Sequence, residues 1–337
     1  MAQTREHFWY RRSFWRFLLW PLHLLLYVLV FARRLAYRLK IFSSYKSALP
    51  VIVVGNISVG GTGKTPFILW LADYFQQQGL TVAIVSRGYG AHSDQYPLIV
   101  TERTLASECG DEPKLLANAS GAVVVVDPNR VRAIKMIEQT LTVDIVIADD
   151  GLQHYAMARD LEICLIDGYR QFGNGLLLPF GPLREPTSRL ASCDVIMQNS
   201  GEPKLPFMMT MEPLFLQNLA TGERLSLDER KWPFEQYSAI CGLANPVKFE
   251  RTLAEFKEPA EFKAFADHYP FSATDLANYN DQPLVMTEKD AVKCSTFARE
   301  NWWFLCVRPK VNEAASQQLT QKLSGLVDTI NSRQLKK

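Results

Sequence analysis

A chain of 337 residues exceeds what one hydrophobic core ordinarily serves, so two domains are expected. With 47% hydrophobic and 21% charged residues it has the composition of a globular protein, which excludes a disordered chain. The net charge of +2 is unevenly placed: the first 40 residues carry eight basic side chains against the single acid Glu6, leaving a mildly acidic body and pointing to a local anionic partner, not to a nucleic-acid surface.

The first element is the apolar run 14–32, closed by Arg33 and Arg34. It is not expected to be a secretory signal, because no small-residue cleavage site follows. Its mainly apolar part, 17–32, would reach roughly 24 Å as a helix at 1.5 Å per residue, short of a ~30 Å hydrocarbon core. A spanning helix and a helix buried in the protein stay open. A helix lying in one leaflet, with tryptophans and arginines at headgroup level, fits the composition better. Residues 33–40 alternate Leu35, Tyr37 and Leu39 with cations and suit an anionic surface.

The next stretch reads Val51-Ile-Val-Val-Gly-Asn-Ile-Ser-Val-Gly-Gly-Thr-Gly-Lys-Thr-Pro66. A short β-branched strand, a glycine-rich loop, Lys64-Thr65 and a helix over 67–78 make a phosphate-binding loop. Ser58, Val59, Gly60, Gly61, Thr62 and Gly63 would turn backbone N–H groups onto phosphate oxygens. Lys64 would reach the β- and γ-phosphates, and the Thr65 hydroxyl would ligate Mg²⁺. Ser58 stands where the common pattern has its first glycine.

Strands follow at 80–85, 123–126, 143–148, 161–166 and 194–198, with helices near 111 and over 129–140. This alternation predicts an α/β fold: a doubly wound, mostly parallel sheet with function at the carboxyl ends of its strands. The loops at 55–66, 86–90, 127–130, 149–154 and 167–170 should then share one rim. Residues 171–192 form a long Gly- and Pro-rich loop of the kind that is usually functional or disordered. The expected organisation is a membrane-associated segment over 1–46, a P-loop domain over 47–200, a linker over 201–232 that could hold a short hairpin, and a smaller α/β domain over 233–337. In that second domain strands are expected at 237–241, 262–266, 284–287 and 303–307, with helices from Asn245, after Phe271, after 287 and at 313–326. Six well-separated cysteines without a C-x-x-C spacing read as buried thiols, not as a zinc site or a disulfide framework.

Asp149 and Asp150 end a hydrophobic strand, where a nucleotide-hydrolysing protein keeps its Mg²⁺ acid; they could also cap a helix or make a turn with Gly151. Asp111 would be read first as a helix cap, and His268 first as a turn residue. Arg184 and Glu185 could be a solvated ion pair, or a phosphate contact and a metal ligand. The tetrapeptide Thr287-Glu-Lys-Asp290 lacks the Asn and the spacing of a guanine-reading motif.

Taken together, Asn56-x-Ser58-Val-Gly-Gly-Thr-Gly-Lys-Thr-Pro66, Ser86-Arg-Gly-Tyr-Gly90, Gly110-Asp-Glu-Pro113, Asp149-Asp-Gly-Leu-Gln-His154, Gly181-Pro-Leu-Arg-Glu-Pro186, Gly242-x-x-Asn-Pro246, Asp267-His268 and Thr287-Glu-Lys-Asp-Ala-Val-Lys293 resemble the motif set of the tetraacyldisaccharide 4′-kinases, the lipid A kinases. The resemblance runs in order to about residue 293. It implies an enzyme at the cytoplasmic face of a bacterial inner membrane. That enzyme moves the γ-phosphate of ATP, with Mg²⁺, to the 4′-hydroxyl of an anionic, tetraacylated glucosamine disaccharide 1-phosphate; no obligate protein partner is evident from the sequence. Carried over, Asp111 is the base and His268 its partner, with Lys64 completing the catalytic set. Thr65, Asp149, Asp150 and Glu185 form the metal shell, and Arg184 contacts phosphate. A membrane-tethered nucleotide switch acting on a protein partner is the alternative; it would consume ATP without a glycolipid.

Overall fold

The computed structural model describes residue 9 and residues 20–227, 231–279 and 281–334. The opening part of the apolar run, 14–19, lies outside them. Helix α1, Trp20–Arg38, is the first described element. Pro21 sits in its first turn, where a missing N–H is harmless. Among the described residues no helix is long and apolar enough to cross a membrane.

Strand β1 (Val51–Gly55) leads through the glycine-rich loop into α2 (Lys64–Gln77). Then come β2 (Val82–Ser86), the two-residue edge strand β3 (Leu98–Ile99), α3 (Asp111–Ser120), β4 (Val123–Val126), α4 (Arg130–Thr140), β5 (Ile145–Asp149), β6 (Leu161–Asp167) and β7 (Val195–Asn199). The β-branched runs of β1, β2 and β5 are buried along their whole length, as strands covered by helices on both faces must be. Alternation along β1 sends Ile52 and Val54 to the face covered by Phe67, Leu71 and Phe75 of α2, and Val51 and Val53 to the face covered by Ile134 and Ile137 of α4.

Residues 201–232, expected as a linker, carry the eleven-residue strand β8 (Met208–Asn218) and β9 (Arg224–Ser226), which pair as an antiparallel hairpin. Beyond lie β10 (Ser238–Cys241), α5 (Pro246–Ala254), β11 (Glu261–Ala264), β12 (Leu284–Thr287), α6 (Glu288–Cys294), β13 (Trp302–Val311) and α7 (Glu313–Gln334). The helix expected after Phe271 is replaced by turns over 273–278.

Among the described residues all the strands belong to one 13-stranded sheet, ordered β11-β10-β12-β13-β8-β7-β6-β1-β5-β2-β4-β3 with β9 on β8. Each half is internally parallel apart from the edge strand β3 and the hairpin strand β9, and the seam between them is antiparallel, β8 against β13. β8 also pairs parallel with β7 through Gln198↔Met208 and Asn199↔Met209, so it belongs to both halves. The two α/β units expected from the sequence are therefore one continuous sheet. The polarity of 201–232 hid the strand because several β8 residues are only partly buried.

Helix α7 follows the last strand of the second half but packs on the first. Leu319, Leu323, Val327 and Ile330 join the α2-side core with Phe67 and Phe75. Replacing Leu323, which is fully buried, with Ala should therefore cost about 2–5 kcal/mol of stability despite its nearness to the C-terminus. Val247→Ala, at a side chain 47% exposed, should change it by about 0.5 kcal/mol or less. Denaturant unfolding compares the two, and similar small effects would contradict the packing of α7 on the first half.

Candidate active site

The glycine-rich loop connects the carboxyl end of β1 to the N-terminus of α2, so backbone N–H groups and the positive end of the helix converge there. Gly63 has φ 86°, and a Cβ at that position would lie 2.5 Å from Asn199 Nδ2 and 2.6 Å from Met211 Cε. Only glycine fits that approach. The buried Asn199 side chain donates to the Thr62 carbonyl at 3.0 Å, and buried Asn56 donates to Thr62 Oγ1 at 3.2 Å. The long loop 171–192 acts as a splint along the other edge: Val59 N donates to Pro182 O at 2.8 Å and Arg184 N to Ile57 O at 2.7 Å. Ser58, Val59, Gly60, Gly61 and Thr62 line a small cavity with Asp167, Arg170 and Gln171. Asn56 opens the first of the motifs quoted above but carried no role there, and Asn199 was not singled out in the sequence; its only signal was its position at the carboxyl end of β7.

Asp149 ends β5 and Asp150 follows at φ 48°, a left-handed conformation that is uncommon outside glycine. Ser86 Oγ donates to Asp149 Oδ2 at 2.8 Å, and Arg130 Nη2 donates to the backbone carbonyls of both Asp149 and Asp150 at 2.9 Å. Asp150 receives Arg184 Nη1 at 2.6 Å and Lys64 Nζ at 3.6 Å. Burial raises the Asp149 carboxyl above its ordinary range, helped by Glu112 and Asp150. Burial also opposes ionisation of Asp150, but Lys64 and Arg184 prevail and hold it down at about 2. The two adjacent carboxyls thus have opposite tendencies within one site.

One oxygen of each is buried without a hydrogen-bond partner, Asp149 Oδ1 and Asp150 Oδ1, the latter with Lys64 Nζ at ion-pair distance, 3.6 Å. Buried acceptor oxygens left open beside a phosphate loop fit a hard cation that takes one or two carboxylates and completes its shell with phosphate and water. Among the described residues no group of three His, Cys, Asp or Glu side chains forms a protein-only metal cage. Glu185 departs from its expected place. It is 2% exposed, and its carboxylate accepts from Gln153 Nε2 at 2.8 Å and from the Tyr155 hydroxyl, with Arg189 at 3.7 Å. With those partners it braces the loop, since Gln153 Nε2 also donates to the Asn56 carbonyl at 3.0 Å. The open oxygens that suit a cation are those of Asp149 and Asp150, not those of Glu185.

On the opposite wall, Asp111 and His268 meet across the two halves: His268 Nδ1 lies 3.0 Å from Asp111 Oδ2, 157 residues away in sequence. Asp111 is the first residue of α3, and Gly110 occupies the cap, so the aspartate side chain is not spent on capping its own helix. His268 has φ 58° and faces the Tyr89 ring at 5.8 Å between centroids. A non-glycine residue held in that region at a cleft is backbone strain at a site of interest. Lys293 Nζ stands 3.9 Å from Asp111 Oδ2 and 2.8 Å from Asp290 Oδ1. Glu112, next to Asp111, contributes to the raised Asp149 carboxyl, so the charge of this wall acts on the strand end beside the phosphate loop. The set can hold a phosphate donor on one side and orient a carboxylate toward a hydroxyl on the other.

The sequence model of the family described as tetraacyldisaccharide-1-P 4′-kinase matches residues 15–324. The tetraacyldisaccharide 4′-kinase of Psychromonas ingrahamii is 46% identical over 318 residues, covering 94% of this chain and 98% of its own. That of Vibrio cholerae is 42% identical over 335 residues, covering 97% and 98%. A crystal structure of LpxK from Aquifex aeolicus in complex with ATP superposes with a TM-score of 0.77 at 30% identity, covering 94% of this chain and 99% of that one.

The geometry of the loop gives a stability test that needs no ligand. Gly63→Ala should destabilise the protein by about 1–3 kcal/mol, from backbone strain and the displaced Asn199. Gly61→Ala, where an added Cβ meets nothing within 4 Å, should leave the melting temperature unchanged. Equal shifts in thermal unfolding would contradict this account of the loop.

Proposed function

The chain belongs to the tetraacyldisaccharide-1-phosphate 4′-kinase family, and from that premise we propose how its own residues divide the reaction. It is a kinase of lipid A biosynthesis: it transfers the γ-phosphate of ATP to the 4′-hydroxyl of a tetraacylated glucosamine disaccharide 1-phosphate. The observation that carries the assignment of roles is the junction of Asp111 and His268 from opposite halves beside a loop ending in Lys64-Thr65.

The loop from Ser58 to Gly63 cradles the phosphates with its N–H groups, and Lys64 holds the transferring phosphoryl oxygens. Arg184 is parked on Asp150 at 2.6 Å and is available to an arriving phosphate, as is Lys64. Thr65, Asp149 and Asp150 would hold Mg²⁺, which when bound supplies neutralising charge along the phosphates. Asp111 receives the proton of the 4′-hydroxyl, and His268 fixes the direction of its carboxylate. Transfer of this kind depends chiefly on alignment and on stabilising charge, and two walls from different halves of one continuous sheet provide both. Family membership favours this acceptor chemistry over a nucleotide switch.

The membrane reading rests on α1. Leu22, Leu24, Leu25, Val28, Leu29 and Phe31 are all about half exposed, an apolar surface larger than a lone surface residue would explain. Its cationic end is tied to the body: Arg33 Nη2 donates to Gln153 O at 3.3 Å and Arg34 Nη2 to Ser192 Oγ at 2.9 Å. Such a helix enters one leaflet of the cytoplasmic face of the inner membrane with its basic end at headgroup level. A substrate with four acyl chains leaves a bilayer at ~0.8 kcal/mol per CH₂, so the cleft must come to the lipid.

Asp111→Asn should lower turnover by about 10²–10⁴-fold while ATP still binds, and Lys64→Ala should abolish transfer; labelled ATP with the disaccharide lipid reads both. Wild-type turnover in Asp111→Asn would remove that residue from the role of base. Deleting residues 1–40 should release the protein from membranes more than it weakens ATP binding. Unchanged fractionation of the truncated protein with membranes would defeat the anchor.

A further inference from the structure

The glycine-rich loop can cradle phosphate only if its N–H groups face inward, and a side chain outside the loop bears on which way they face. Asn199 closes β7 and is fully buried, and Thr62 is nearly so. The Asn199 backbone is held on both sides: its carbonyl accepts from Gly168 N at 2.9 Å, and the residue pairs with Met209 of β8. Its side-chain amide has one orientation, with the Ser200 hydroxyl 3.0 Å from Oδ1 and the Thr62 carbonyl 3.0 Å from Nδ2. A carbonyl can only accept, so the atom that faces Thr62 O is the amide nitrogen.

Thr62 engages all its polar groups in this support. Its N–H donates to Gly60 O at 3.1 Å, its hydroxyl accepts from Asn56 Nδ2 at 3.2 Å, and its carbonyl accepts from Asn199. The peptide that follows is trans and planar, with its C=O and N–H on opposite sides of the chain. Fixing the Thr62 carbonyl on Asn199 therefore aims the Gly63 N–H away from Asn199. Gly63 is the cap of α2, and the first N–H groups of a helix have no partner within it. At φ 86° and without a Cβ, Gly63 lets that peptide turn over at little steric cost. Turned over, it would set a carbonyl oxygen where phosphate oxygens must lie. The glycines that make the loop pliable leave its polarity to be set from outside.

We propose that Asn199 is a positioning residue for the kinase reaction: its bond to the Thr62 carbonyl fixes the polarity of the Thr62–Gly63 peptide, so that the Gly63 N–H, and not a carbonyl oxygen, meets the phosphates of ATP. The inference rests on the reading of 58–65 as the ATP cradle. It also ties the cradle to the seam, because Asn199 is paired with β8, the strand that joins the two halves. Met211 of β8 stands against the same peptide, its Cε 2.6 Å from where a Cβ on Gly63 would lie. An asparagine that only filled space behind the loop would leave ATP affinity alone once the protein had folded.

The test uses the full-length enzyme with Mg²⁺ and ATP, first without the lipid acceptor. Asn199→Leu keeps the volume and loses the donor, and Asn199→Asp puts an acceptor in its place. Each should weaken ATP binding by about tenfold or more, as a buried carbonyl left unpaired would. With the disaccharide lipid added, the KM for ATP should rise by a similar factor while the KM for the lipid stays within about twofold. Unchanged ATP affinity in a folded variant, whatever its melting temperature, would overturn the proposal. A second measurement needs no variant to fold. Labelling with ¹³C-carbonyl threonine and ¹⁵N-glycine selects the amides of the two Thr-Gly steps in the chain, Thr62–Gly63 and Thr221–Gly222. On addition of ATP the Gly63 amide proton should move downfield, as an N–H does on bonding to a phosphate oxygen. The Gly222 signal, from the turn between β8 and β9, should stay. Two unmoved signals at saturating ATP would also overturn the proposal. Failure of the wild type to bind ATP would instead overturn the reading of the loop, and this inference with it.

Discussion

The antiparallel pairing of β8 with β13 is the constraint on which the site depends. His268 comes from turns that follow β11, at the far edge of the second half, and Asp111 from a helix in the first. Neither half could set the distance between them if the halves were joined by a flexible connection. The seam runs from Trp303↔Asn218 to Val311↔Met209 with one irregularity near Cys306, and it turns two α/β units into a single plate. The return of α7 across the plate to pack on α2 reinforces it from the face.

Within that plate the chemistry is arranged by charge. Asp150 sits between Lys64 and Arg184, and its carboxyl is held down by them although it is buried. Asp149, adjacent in sequence but without a cation at hydrogen-bond distance from its carboxylate oxygens, is raised by burial, Glu112 and Asp150. The contrast follows from the neighbours: Lys64 and Arg184 both lie against Asp150, whereas Asp149 has the Ser86 hydroxyl. A second polar layer stands behind them. Tyr155 is flanked by Arg33, Arg159 and Arg189 at 5.6–5.7 Å from its ring, and its hydroxyl donates to Glu185. Through Gln153 this layer reaches both the phosphate loop and the basic end of α1, so the apolar helix and the loop share one support.

The difference between Glu185 and the acids 149 and 150 shows how far a motif reaches. All three are acidic residues at motif positions, and the resemblance placed them together in the metal shell. Burial with Tyr155 and Arg189 gives Glu185 a bracing part, a distinction that depends on which neighbours the chain brings to it and is invisible along the sequence. The same holds for 201–232, where prolines and polar residues suggested a connection. β8 tolerates them because its exposure is partial, and it is held by partners on both sides.

The sequence by itself determined the local elements whose physics is local: the buried β-branched strands, the glycine-rich loop with Lys64-Thr65, the acids closing β5, and the apolar basic helix. It also determined the family, because eight motifs in fixed order carry far more information than any one. Only the tertiary structure decided that both halves share one sheet, that Asn56 and Asn199 hold the loop, that Glu185 turns inward, and that Lys289 faces His268. Those facts depend on contacts between residues far apart in the chain. Spacing and hydrophobic period carry no trace of such contacts, which exist only once the sheet has closed at its seam.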